Sequence, residues 1–314
     1  MTISQFVTKH YFPHHVSQLK PSVRAPYECN WDKHLKPVCG QIRLRDFRTT
    51  DGEQIMRELV KRNLGRNTVR HCKSILSGIF SEAIRLGVLD TGNPVREVRI
   101  PTSRLKPPEE TQAYTLDEIT TMLRTLIGPA KAIIAVFAYT GLRKGEVAAL
   151  QCESWHDHAL WVEKSRWRKQ FTEPKSAKGK SPVPVIAPLA MILSDHLNGR
   201  TDGLMFGSRK GTPLNLDNFA KRTIRPVLEK LRIGWYGFHA FRRGLATNLN
   251  KMGVDPKVVQ AIMRHAYFET TMNHYVKAVP ESARKAMENL EKLICSEYAV
   301  NQAVNQDDKV AQVI

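Results

Sequence analysis

Cysteine is scarce and unpatterned in this chain. The five present, Cys29, Cys39, Cys72, Cys152 and Cys295, are odd in number and form no C-x-x-C pair, which argues against a disulfide framework or zinc ribbon and for the reducing cytoplasm. Long apolar runs are missing too. The longest, Ala132 to Tyr139, is far too short to cross a bilayer, and no charged-then-apolar signal opens the chain, so no membrane role is expected. Nucleotide and metal motifs are also absent: Gly179-Lys180-Ser181 ends like a phosphate-binding loop, but the earlier glycine such a loop needs is Pro174. No carboxylate cluster accompanies the basic motifs described below, so neither a metal nor a cofactor is expected. Acidic residues are in deficit, 30 against 48 Lys and Arg, for a net charge of +18. An enzyme of small metabolites seldom carries such self-repulsion; the pattern points to a polyanion, nucleic acid first.

What is present suits two domains, since 314 residues with 42% hydrophobic content can bury two cores. Residues 1–95 read as helices. Thr50-Asp51-Gly52-Glu53 has the form of a capping box, with Ile55, Leu59 and Val60 following at helical spacing. A second helix from about Asn67 gathers Val69, Cys72, Ile75, Leu76, Ile79, Phe80 and Ala83 on one face and Arg66, Arg70 and Lys73 on the other. Such a basic face is often merely solvated, but residues 1–105 hold 18 basic against 9 acidic side chains, and the excess favours DNA backbone contact. Asn93-Pro94 closes this unit, and residues 96–113, with three prolines and Arg104 among their cations, read as a basic linker.

Residues 114–280 read as a mixed domain. A capping box at Thr115-Leu116-Asp117-Glu118 precedes an apolar helix at Ala130 to Tyr139, and Ala159 to Arg168 and Val183 to Ile186 alternate as strands do. Helices resume from Leu216. Asp255-Pro256 starts one that is expected to turn Val258, Val259 and Ile262 inward. Residues 281–314 reverse the charge balance, with four basic and six acidic side chains. Ala286, Met287, Leu290, Leu293 and Ile294 recur there at helical spacing, which suits either a subunit contact or packing on the chain's own domain.

The chemistry-bearing residues lie in this second domain. Arg143, in T-G-L-R-K-G-E, follows a helix-breaking Gly141, and Glu146 shares its helix face and can hold it. A guanidinium there can fork onto two phosphate oxygens. Lys175 sits between the candidate strands, with Lys178 and Lys180 as rivals for its role. His239 and Arg242, in H-A-F-R, are spaced to share a helix side, and His265 ends M-R-H. Tyr275 lies in E-T-T-M-N-H-Y-V-K, with Tyr267 as a rival that is expected to pack. Alone, each fragment is commonplace: a helix start, a solvated turn, a capping or surface histidine.

Taken in order, Arg143, Lys175, His239, Arg242, His265 and Tyr275 resemble the catalytic set of the tyrosine recombinases, the phage integrase family. The resemblance covers nearly the whole chain. It implies a mainly α fold with a small antiparallel β-sheet, arranged as a helical core-binding domain and an α+β catalytic domain, with no arm-binding module ahead of T-I-S-Q-F-V. It also implies that Tyr275 attacks a scissile phosphate, that Arg143, Arg242 and His265 offset its charge, that His239 hydrogen-bonds a phosphate oxygen and is a candidate to take the tyrosine proton, and that Lys175 protonates the leaving 5′-oxygen without metal or ATP. The partners implied are double-stranded attachment sites and three further copies in a synaptic tetramer, with a monomer as the free form and an accessory directionality factor as candidates. Arg66, Arg70, Lys73, Arg104, Lys178 and Lys180 are the candidate DNA contacts. The chain departs from the family at Arg264, where glycine usually allows a tight turn, and at Cys152, often tryptophan. A type IB topoisomerase uses nearly the same residues, and a DNA-binding relative without the chemistry would keep the fold; plasmid relaxation and failure to trap covalent DNA would reveal them.

Overall fold

The structure, a computed structural model, describes residues 1–101, 111–168, 170–172, 182–208, 210–265, 267 and 269. The chain divides into two compact units, Met1–Glu110 and Thr111–Ile314.

The first unit is helical among its described residues: α1 (Ile3–Phe6), α2 (Phe12–His14), α3 (Pro21–Asn30), α4 (Lys36–Cys39), α5 (Thr49–Lys61) and α6 (Arg66–Arg85). Thr2 opens α1 with a reciprocal capping box to Gln5. Wider π-turns at Val7–Tyr11 and Trp31–Leu35 each stop two residues short of a proline, Pro13 and Pro37. Proline has no N–H to return to the preceding turn and crowds its carbonyl, and the wider turn accommodates both defects.

Helix α5 starts earlier than its sequence suggests. Arg48 is the N-cap, and Asp51, not Glu53, accepts the backbone N–H of Arg48 at 2.8 Å; its short carboxylate already stands in the first turn. The apolar face expected of α6 is buried in full, while Arg66 and Arg70 are exposed and Lys73 is half-buried near the Arg96 carbonyl. Asn93 fastens the following segment back onto α6: its Nδ2 donates to Ser77 O, Ser77 Oγ and Ser81 Oγ, and its Oδ1 accepts from Val95 N. Val95 and Val98 then join the core.

The second unit is built around α8 (Gly128–Thr140), which is buried on nearly every side, as an apolar helix without a polar face must be. Helix α7 (Leu116–Thr125) precedes it, capped by Thr115 and Glu118 as expected. After α9 (Lys144–Val147) come β1 (Trp155–His156), β2 (Ala159–Leu160), β3 (Ser165–Trp167), β4 (Gln170–Thr172) and β5 (Val183–Pro184). Strands β1, β2 and β5 make an antiparallel sheet in that order, and β3 pairs with β4 in a separate hairpin. The single strand expected over Ala159 to Arg168 is therefore two. Alternation records which side a residue faces but does not register the break at exposed Glu163 and Lys164.

Helix α10 (Ala187–Leu197) was not expected. It has no polar N-cap side chain, since Ile186 holds that position, yet Leu189, Leu193 and Leu197 are buried. There follow α11 (Leu216–Phe219), α12 (Arg225–Lys230), α13 (Phe238–Lys251) and α14 (Pro256–Met263). A third π-turn, Ala220–Ile224, stops two residues before Pro226. Asp255 caps α14 through Lys257 N at 2.7 Å. Its inward face is Val259 and Met263; Val258 is half exposed, because the face packed on α13 is narrower than three consecutive turns of apolar residues suggest. Among the described residues no helix is long and apolar enough to cross a membrane.

Candidate active site

Three segments remote in sequence meet at one place: the turn after α8, the first turns of α13 and the end of α14. Gly141 ends α8 in the left-handed conformation, φ +62°, which frees the chain to turn into Arg143, the N-cap of α9. Glu146 lies one turn on. Its Oε1 accepts from Arg143 Nη1 at 2.9 Å and its Oε2 from Arg143 N at 2.8 Å, the pairing expected from their spacing. Glu146 is buried, while the Arg143 side chain keeps about a third of its surface exposed.

Arg242 comes from α13 and is 2% exposed. Burying a guanidinium is costly unless hydrogen bonds replace its water. Here Nη1 donates to Gly141 O and Nη2 to Met263 O, so one side chain braces the end of α8 against the end of α14. Burial, with repulsion from Arg143 added, pushes its pKa down to about 9, and Glu146 opposes the shift. The group stays protonated at neutral pH.

The last turn of α14 positions His265. Its backbone N–H donates to Gln260 O at 3.1 Å, Gln260 Nε2 donates to its carbonyl at 3.2 Å, and the residue is 5% exposed. His239, in the first turn of α13, is exposed. Lys175, Tyr275, Arg104, Lys178 and Lys180 lie outside the described residues. Tyr267, expected to pack, is instead 76% exposed. It lies just past the end of α14, and no buried face of that helix reaches it.

Sequence reasoning overlooked two features. The first is Arg264, treated only as a replacement for glycine. It is 3% exposed, holds a left-handed backbone with φ 52° and ψ 42°, and its Nη2 meets Glu146 Oε2 at 2.7 Å. The second is a cleft of about 290 Å³ beside Arg143, lined by Lys144, Arg166, Trp167, Arg168 and Asp217 among others. Lys144 there pairs with Asp217 at 2.7 Å, and Gly145 lies so close to β3 that a Cβ would stand 2.6 Å from Ser165 Oγ. Four cations in the stretches 143–145 and 165–168, Arg143, Lys144, Arg166 and Arg168, were its sequence signal. A roomier cleft, about 450 Å³, lies in the first unit among Asp51, Arg57, Glu58, Lys61 and Arg62; its carboxylates would repel a phosphate, which makes it the poorer candidate for binding a polyanion.

A buried arginine brace, a second arginine held by a carboxylate and a histidine fixed by a helix end can together grip a tetrahedral anion and stabilise added charge on it. The tyrosine recombinase XerC-like protein of Caldanaerobacter subterraneus subsp. tengcongensis is 23% identical over 310 residues, an alignment covering 87% of this chain and 78% of that one. The integrase of Escherichia phage P2 is 26% identical over 267 residues, covering 82% and 72%. Among solved structures, the Tn1549 transposon integrase in complex with transposon right end DNA matches with a TM-score of 0.78 at 20% identity, over 93% of this chain and all of that one. A lambda integrase tetramer bound to a Holliday junction matches with 0.69 at 17% identity, over 87% and 77%. Residues 81–281 match the model of the phage integrase family, a span that takes in all three converging segments, and the chain therefore belongs to that family, the tyrosine recombinases.

Proposed function

We propose that this site-specific DNA recombinase cleaves and rejoins duplex attachment sites through Tyr275. The phenolic oxygen attacks the scissile phosphorus, an O–P bond forms, and the bond to the 5′-oxygen breaks, leaving a 3′-phosphotyrosyl link. His239 takes the phenol proton and Lys175 gives one to the departing 5′-oxygen. Arg143, Arg242 and His265 grip the non-bridging oxygens as their charge grows. Attack by a partner strand's 5′-hydroxyl reverses the sequence, so the bond energy is conserved and no nucleotide or metal takes part in this scheme.

The observation that carries this reading is the Arg242 brace. It ties the turn bearing Arg143 to the helix end bearing His265, which supports their acting together on one phosphate. The exposed Arg66 and Arg70 on α6, with Lys73, Arg104, Lys178 and Lys180, follow the DNA backbone. Residues 1–95 act as the core-binding domain, 96–113 as the linker, 114–280 as the catalytic domain and 281–314 as a subunit contact in a tetramer working in the cytoplasm, with a directionality factor as accessory.

Incubation with nicked site DNA, followed by denaturation, tests the reading. The unaltered protein is expected to form a covalent adduct and Tyr275→Phe none, while site binding is retained because only a hydroxyl is lost. An adduct that persists in Tyr275→Phe and vanishes in Tyr267→Phe would move the nucleophile to the exposed Tyr267.

A further inference from the structure

Glu146 serves two arginines. Oε1 takes the Arg143 guanidinium at 2.9 Å, while Oε2 takes the Arg143 backbone N–H at 2.8 Å and Arg264 Nη2 at 2.7 Å. The three contacts differ in exposure. Both Glu146 and Arg264 are 3% exposed at the side chain, whereas Arg143 is 35% exposed and so open to a ligand. A carboxylate held by Arg143 alone would swing with it. Anchored from behind by a buried guanidinium, it is a fixed post.

The charge count points the same way. Arg143 and Glu146 cancel, so a phosphate approaching the pair meets a guanidinium whose field is largely spent on its neighbour. Arg264 supplies the compensating positive charge to Glu146 and leaves the field of Arg143 for the ligand. The cost of placing it there is visible in its surroundings: burial and the nearness of Arg143 push the Arg264 pKa down, while Glu146 pulls it up. Its backbone also occupies the left-handed region that glycine or asparagine enters most readily. A side chain kept in a strained backbone position and stripped of water calls for a return, and the carboxylate it meets is the one that holds Arg143.

We propose that Arg264 is a positioning residue for strand cleavage, acting through Glu146 to fix the orientation and preserve the charge of Arg143. This rests on the phosphoryl-transfer reading above. Arg264 touches neither DNA nor tyrosine in this scheme; it acts at one remove.

The test is the single-turnover rate of covalent adduct formation on DNA already bound to the full-length protein. Arg264→Gly suits the left-handed backbone and should keep the melting temperature and the site affinity, yet cut the rate at least about tenfold. Arg264→Lys should recover most of the loss by restoring a cation to Glu146. In a Glu146→Gln background, Arg264→Gly should lower the rate less than about twofold further, because the route is already broken. An unchanged rate in Arg264→Gly overturns the inference, and so does a full multiplicative loss in the Glu146→Gln background. If Arg264→Gly unfolds, Arg264→Asn, also tolerant of this backbone, takes its place with the same expectations. Absence of any adduct from the unaltered protein would instead sink the proposed function, so the two failures are distinct.

Discussion

Single residues in this chain are governed by what they are buried against. Cys39 lies in the first core, where burial and the nearby Cys72 push its thiol up to about 12; Cys72 is pushed up to about 11 by burial, and Cys152 upward by burial as well. The thiolate is the reactive form. Brief alkylation of the native protein at pH 8, read by peptide mass spectrometry, is therefore expected to label exposed Cys29 and spare Cys39, Cys72 and Cys152. Labelling of Cys72 at the rate of Cys29 would show that the first core opens on that timescale. The same distinction explains what could be read of the site. The pairing of Arg143 with Glu146 spans three residues and is visible as helix spacing. Arg264 reaches the same carboxylate across 118 residues, a contact that only the tertiary fold creates. The Arg242 brace ends on two backbone carbonyls, and a carbonyl has no letter in the sequence.

At the scale of elements, caps with side-chain partners were legible where one candidate dominated and misplaced where two competed. Thr115 with Glu118 stood alone and was right. At the start of α5 the sequence was read as a box of Thr50 with Glu53, whereas Asp51, a second carboxylate within reach, accepts the N-cap N–H. Helix α10 was invisible because its N-terminus offers no polar cap, and the long alternating run was divided because periodicity does not see bends. The segment after α6 shows how much one polar side chain contributes. Asn93→Ala removes the bonds to Ser77, Ser81 and Val95 N, some of them shielded, and is expected to destabilise the protein by about 1–3 kcal/mol. A urea titration should show a lower midpoint with an unchanged slope. An unmoved midpoint would mean that Val95 and Val98 alone hold the segment.

For the whole molecule, the charge excess is an argument about DNA affinity and its salt dependence. If Arg66 and Arg70 each neutralise a phosphate, changing both to alanine should lower the slope of log affinity against log salt by about 1.8, at about 0.9 for each contact. Binding titrations over a salt series decide it; weaker binding with an unaltered slope would place these side chains off the backbone. A second prediction concerns how the second unit begins. Gly244 on α13 passes so close to the entering chain that a Cβ would lie 2.4 Å from the Tyr114 carbonyl oxygen. Gly244→Ala must push that chain away, and both the melting temperature and the cleavage rate are expected to fall. A fully active, equally stable variant would show that the close approach is dispensable.

That approach has a mechanical meaning. Tyr114 is a hub: its hydroxyl donates to Gly234 O at 3.1 Å and accepts from Tyr236 N at 2.9 Å, and its ring sits 4.3 Å from that of Phe241. Phe241 is the residue before Arg242, and α13 also carries His239. A shift of Tyr114 would therefore press on Phe241 and so on α13, the helix that carries Arg242 and His239. The point where the chain enters this unit and the Arg242 brace are thus one aromatic contact apart.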